Sequence, residues 1–84
     1  MNLSKKNQEE YLKKLGIYIV RLREKKGLKQ YELSDLLDID VRVLRRIEKG
    51  KTNIQILFLF KLADVLNVKT NSFIDLPKVD DSEK

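Results

Sequence analysis

Apolar residues return every three or four positions along most of this chain, the spacing of one buried helix face after another. Tyr11, Leu15, Tyr18 and Leu22, with Leu12 and Ile19 beside them, predict a first helix. Asn7 is the expected N-cap, and Glu10 completes a capping-box pattern. This helix is expected to run to about Lys26 and to stop at Gly27, with Lys25 and Lys26 well placed for the C-terminal dipole. Gly16, inside it, either permits close packing or marks a break. A second helix is predicted over 30–37, burying Leu33, Leu36 and Leu37. The turn Asp38-Ile39-Asp40 follows, with Ile39 pointing inward and Asp40 as N-cap of a third helix over 41–49. Val43, Leu44 and Ile47 fall on or near the core face of that helix, and Gly50 ends it.

The fourth predicted helix, from 54 or 55 to 66, is apolar nearly all round. Ile56, Leu59, Phe60, Ala63 and Leu66 make one core stripe; Phe58, Leu62 and Val65 make a second, with Leu57 exposed. Such a helix must be covered by something. Two covers are open: the C-terminal turn near Thr70 that carries Phe73 and Ile74, or a dimer interface built from Phe58, Val65 and Phe73. Pro77 ends the fold. The expected organisation is one all-α domain over 8–76, with flexible tails at 1–7 and 77–84.

Composition narrows the function. The 84 residues carry 18 Lys or Arg against 13 Asp or Glu, a net charge of +5 that favours an anionic partner. The chain has no Cys and no His, so disulfides, thiolate or imidazole metal sites and catalysis built on Cys or His are excluded. No cofactor and no metal are expected. The first ten residues lack an apolar run, so no signal peptide is expected, and the most apolar stretch, 54–66, is too short to span a bilayer. A cytoplasmic protein with no membrane partner is the expectation.

The positive charge is concentrated. Arg42, Arg45, Arg46, Lys49 and Lys51, offset by Glu48 alone, give 5 − 1 = +4 between 42 and 51. Arg42, Arg45 and Arg46 stand at i, i+3 and i+4, one basic helix face. Guanidinium groups donate in a planar fork that suits guanine O6 and N7 as well as phosphate. Two short helices joined by a tight turn, the second basic, have the layout of a helix-turn-helix whose second helix enters the major groove. Gln30 at the start of helix 2 can offer its amide and the local N–H groups to a phosphate. Lys29, Lys51, Thr52 and Asn53 flank the same face as candidate phosphate contacts. Glu48, the single acid of the basic helix, either accepts from cytosine N4 or turns inward to pair with Arg23; the inward ion pair is the favoured reading. Asp35, Asp38 and Asp40 read as a solvated residue, a left-handed turn position and a cap, not as a metal or nuclease site.

Leu15-Gly16, Ile19, Leu22-Arg23, Gly27-Leu28, Gln30, Glu32-Leu33-Ser34, Leu37, Ile39, Ile47-Glu48-Lys49-Gly50, Leu59, Leu62-Ala63 and Leu66-Asn67-Val68 together resemble the Xre/Cro family of λ-repressor-like DNA-binding domains. The resemblance spans roughly 12–76. It implies a five-helix fold and a sequence-specific transcriptional regulator, often dimeric on palindromic operators. It implies that Val41, Arg42 and Arg46 read bases with Arg45 nearby, that Gln30 contacts phosphate, and that Arg23 and Glu48 form a structural ion pair. Four positions depart from the family pattern. Asp38 stands for the usual turn glycine, Asp40 for a Ser or Thr cap and Ile54 for a frequent proline, while Val41 offers only apolar contact, suited to a thymine methyl. Small members include phage Cro-like proteins, restriction–modification controllers and antitoxins. The expected partners are double-stranded DNA and a second copy of the chain. The alternative is a protein-interaction or antitoxin-like module that uses the apolar face of helix 4. No enzymatic activity is expected.

Overall fold

The computed structural model describes residues 4–77. They form α1 (Lys5–Lys25), α2 (Gln30–Leu37), α3 (Val41–Glu48), α4 (Ile56–Leu66) and a 3-10 turn at Thr70–Phe73, with no strand among the described residues. The described residues thus hold four α-helices and not the five expected, with this four-residue 3-10 turn after the fourth. The segments 1–3 and 78–84 of the expected tails lie outside the described residues.

The first helix starts earlier than the sequence suggests. Ser4 is its N-cap, its hydroxyl accepting from the Asn7 backbone N–H at 3.2 Å. Asn7 therefore lies inside the helix, because a better capping hydroxyl stands one turn ahead of it and no breaker intervenes. Residues 5–7, expected in a tail, belong to α1. The helix runs unbroken through Gly16.

Each helix end except the last is closed by one residue in the left-handed region: Gly27, Asp38, Gly50 and Asn67. At each, the following N–H returns to a carbonyl five residues back: Leu28 to Arg23, Ile39 to Ser34, Lys51 to Arg46 and Val68 to Ala63, at 2.9–3.1 Å. Asp38 (φ 57°) takes the turn where glycine is usual, and its short polar side chain is among the few that tolerate it.

The core joins Leu15 and Ile19 of α1, Leu33 and Leu37 of α2, Leu44 and Ile47 of α3, Leu59, Leu62, Ala63 and Leu66 of α4, and Phe73. Four expected core positions are corrected. Leu36 is 54 % exposed and Ser34 takes the inward position, because α2 packs against both α3 and α4 and so faces inward along 33, 34 and 37. The buried Ser34 hydroxyl is satisfied by donating to the Tyr31 carbonyl at 2.8 Å. Val43 is exposed because α3 docks on Leu44 and Ile47. Ile56 and Phe60 are also exposed, since the inward stripe of α4 runs along Leu59, Leu62, Ala63 and Leu66.

Phe73 is fully buried, its ring edge-on to Tyr18 with centroids 5.4 Å apart. The Tyr11 hydroxyl donates to the Phe73 carbonyl, and burial raises the pKa of that phenol. The C-terminal turn is thus pinned to α1 and covers α4 from within the same chain. Phe73 is removed as a dimer-interface candidate, and Phe58 and Val65 are half-buried against the core. On α4 and the C-terminal turn, the large apolar side chains left open are Ile56, Leu57, Phe60 and Ile74.

Candidate nucleic-acid interface

The basic helix is set at a fixed depth by backbone contact. A Cβ added to Gly16 would stand 2.3 Å from the Glu48 carbonyl oxygen, and one added to Gly50 would stand 2.8 Å from Lys13 Cα. The C-terminal end of α3 therefore lies directly on the backbone of α1, with no side chain between them. Gly50 also takes φ 71°, so both its missing Cβ and its left-handed conformation are used. With Leu44 and Ile47 buried beneath, α3 presents Arg42, Arg45 and Arg46 to solvent and leaves Val41 half-buried at its start.

Behind this face runs a polar relay. Arg23 Nε donates to Glu48 Oε2 at 2.8 Å and Arg23 Nη2 to Glu48 Oε1 at 3.3 Å, while Arg23 Nη1 donates to the Leu28 carbonyl at 2.9 Å. The two charged side chains are nearly buried, 11 % and 5 % exposed. Glu48 thus turns inward, away from any base. Gln30 extends the relay outward: its Nε2 donates to Glu48 Oε1 at 2.8 Å, and its Oε1 accepts from Arg45 Nε at 3.3 Å. The Gln30 amide is a bridge between the buried ion pair and the surface arginine, and one of its two N–H groups is already committed.

At the other end of α3, Asp40 caps the helix, its Oδ1 accepting from the Arg42 backbone N–H at 2.8 Å. The same carboxylate takes the Arg42 guanidinium: Nε donates to Oδ1 at 3.1 Å and Nη2 to Oδ2 at 3.0 Å. The side chains are 81 % and 47 % exposed for Arg42 and Asp40. The side-chain and backbone hydrogen bonds from Arg42 hold the Asp40 carboxyl at about 2, and Asp40 in turn raises the Arg42 pKa.

The flanking candidates are arranged around α3. Lys29 and Gln30 stand at the start of α2, where Glu32 Oε1 already accepts from the Lys29 backbone N–H at 2.8 Å. Lys51 and Asn53 are exposed, Thr52 is half-buried, and the three follow Gly50 in an irregular loop. Asp35 and Asp38 are exposed, and among the described residues no three acidic side chains converge as a metal site would require. No helix among the described residues is long and apolar enough to cross a membrane.

Sequence reading missed two of these features. The Asp40–Arg42 clamp had a signal, an acidic cap two residues before an arginine. The Gln30 bridge had none, because its partners lie 15 and 18 residues away.

A helix-turn-helix family model matches residues 19–73. The fold superposes on the restriction-modification controller protein C.AhdI from Aeromonas hydrophila with a TM-score of 0.70 and 31% identity, covering 74% of this chain and 94% of that one. It also superposes on an HTH_3 family transcriptional regulator from Vibrio cholerae with a TM-score of 0.72. That second likeness, at 22% identity over 81% of this chain and 38% of the other, is one of fold. No curated protein matches the chain.

Proposed function

This chain belongs to the helix-turn-helix family of DNA-binding transcriptional regulators, and we propose that it reads operator DNA by placing α3 in the major groove as a homodimer. The observation that carries this reading is the outward row of Arg42, Arg45 and Arg46 on a helix whose depth is fixed by backbone contact with α1. These arginines and Val41 would face base edges. Lys29, Gln30, Lys51, Thr52 and Asn53 would contact phosphates on either side and set the register. Gln30 can do so through its second amide N–H while keeping its bond to Glu48.

One α3 spans only a few base pairs, so a second copy supplies the rest of the recognition. Ile56, Leu57, Phe60 and Ile74 support a self-association surface: all are half-exposed or more, and Ile74 lines one groove with Ile54 and Leu59 at the start of α4. A twofold dimer would meet two half-sites about 10 bp apart centre to centre on a palindromic operator. The same four side chains support the second reading, a protein-interaction module using this face.

The test is selection of bound duplexes from a randomised pool at about 150 mM salt, which suppresses nonspecific phosphate binding. A palindromic motif is expected, and Arg46→Ala should cost about 1–3 kcal/mol and relax preference at one position per half-site. No enrichment by the folded protein would move the function to the interaction module. A uniform loss across sequences would remove Arg46 from base reading.

A further inference from the structure

We propose that Asp40 is a positioning residue for base recognition, holding the Arg42 guanidinium by its Nε–Nη2 edge so that its Nη1–Nη2 edge is presented to the N7 and O6 acceptors of a guanine. The inference rests on the major-groove reading of α3 and adds to it which base is read, and by what device.

A guanidinium carries five N–H donors in a fixed plane. Two of them, one on Nε and one on Nη2, are taken by the two oxygens of Asp40. Of the three that remain, one on Nη1 and one on Nη2 are parallel and point along the side chain, the arrangement that meets guanine N7 and O6 together. Asp40 is itself immobilised, because its Oδ1 also accepts from the Arg42 backbone N–H that opens α3. The clamp is therefore referenced to the backbone of the recognition helix. Both side chains are open to solvent, so the free edge is accessible to a base. The low carboxyl pKa keeps the clamp charged under any condition in which DNA binding is measured. Pairing also cancels the charge of Arg42 locally, so this arginine contributes direction more than general attraction to phosphate. Arg45, by contrast, is hydrogen-bonded to the neutral Gln30 amide.

The test compares per-position base preferences of wild type, Asp40→Asn, Arg42→Ala and the double variant, all checked for folding by thermal melting. Asn keeps an oxygen for the helix cap but cannot accept on both atoms. Wild type is expected to prefer guanine about 5- to 100-fold at one position per half-site, and to lose that preference when 7-deazaguanine replaces it. Asp40→Asn should reduce the preference about three- to tenfold while nonspecific binding tightens, since a negative charge facing DNA is gone. In the Arg42→Ala background, Asp40→Asn should leave base preference unchanged. A guanine preference kept within about twofold in Asp40→Asn, or an equal loss in the Arg42→Ala background, overturns the proposal. So does a wild-type motif in which no guanine depends on Arg42. A wild type that enriches no motif removes the major-groove reading itself, and this proposal with it.

Discussion

Glu48→Ala should unfold this domain far more than it alters its base preference. The carboxylate accepts from Arg23 Nε and Nη2 and from Gln30 Nε2, and both members of the ion pair are nearly buried. Truncation leaves a guanidinium at 11 % exposure with two donors facing no acceptor and only the Leu28 carbonyl as a partner. Breaking a buried pair from one side costs about 3–5 kcal/mol. The whole stability of an 84-residue chain is about 4–12 kcal/mol at the usual value per residue, so the loss is a large share of it. At about 4–8 °C per kcal/mol for a domain of this size, Tm should fall by at least about 12 °C. Circular dichroism melting and urea titration read both quantities. The double variant Arg23→Met/Glu48→Leu should recover most of the loss, because the penalty comes from the stranded charge and not from the absence of the pair. A Glu48→Ala protein melting within about 4 °C of wild type would refute the reasoning, as would a double variant as unstable as the single.

Gly16→Ala should destabilise despite the better helix propensity of alanine: the gain is about 1 kcal/mol, whereas forcing α1 from α3 at a 2.3 Å contact costs about 1–3 kcal/mol or more. Urea midpoints check the sign. Lys51→Ala should weaken binding evenly across sequences and lower the slope of log K against log salt by about one. Asp40 should titrate near 2 by NMR of its carboxyl carbon. Its pKa is depressed on folding, so its contribution to stability is full above its ordinary value of 3.8 and is lost as pH falls through about 2.

The helix-turn-helix was legible because its signals are local. The bounds of α2, the Asp40 cap and the inward position of Ile39 all follow from spacing and turn chemistry within a dozen residues. The inward turn of Glu48 was also readable, since a lone acid in a basic helix needs a partner. What failed was rotation about a helix axis. Ser34 for Leu36 on α2, and Leu62 for Phe60 on α4, are choices between neighbouring faces, and tertiary packing from two sides decides them. The cover of α4 was left open between two alternatives for the same reason: only the folded chain brings Tyr11 and Tyr18 over the Phe73 turn. Within the candidate site, the Asp40–Arg42 clamp was within reach of local reading and was overlooked, while the Gln30 bridge required three elements to be assembled first.

The contacts at Gly16 and Gly50 mean that the parts of α3 that hold it and the parts that would read DNA share no atoms. Docking uses carbonyl groups, two missing side chains, the buried Glu48 and the inward pair Leu44 and Ile47; reading would use the half-buried Val41 and the exposed Arg42, Arg45 and Arg46. The reading set can then be exchanged as a cassette, four positions at a time, on an unaltered frame. A lineage with this frame could acquire new operators through changes at those positions alone.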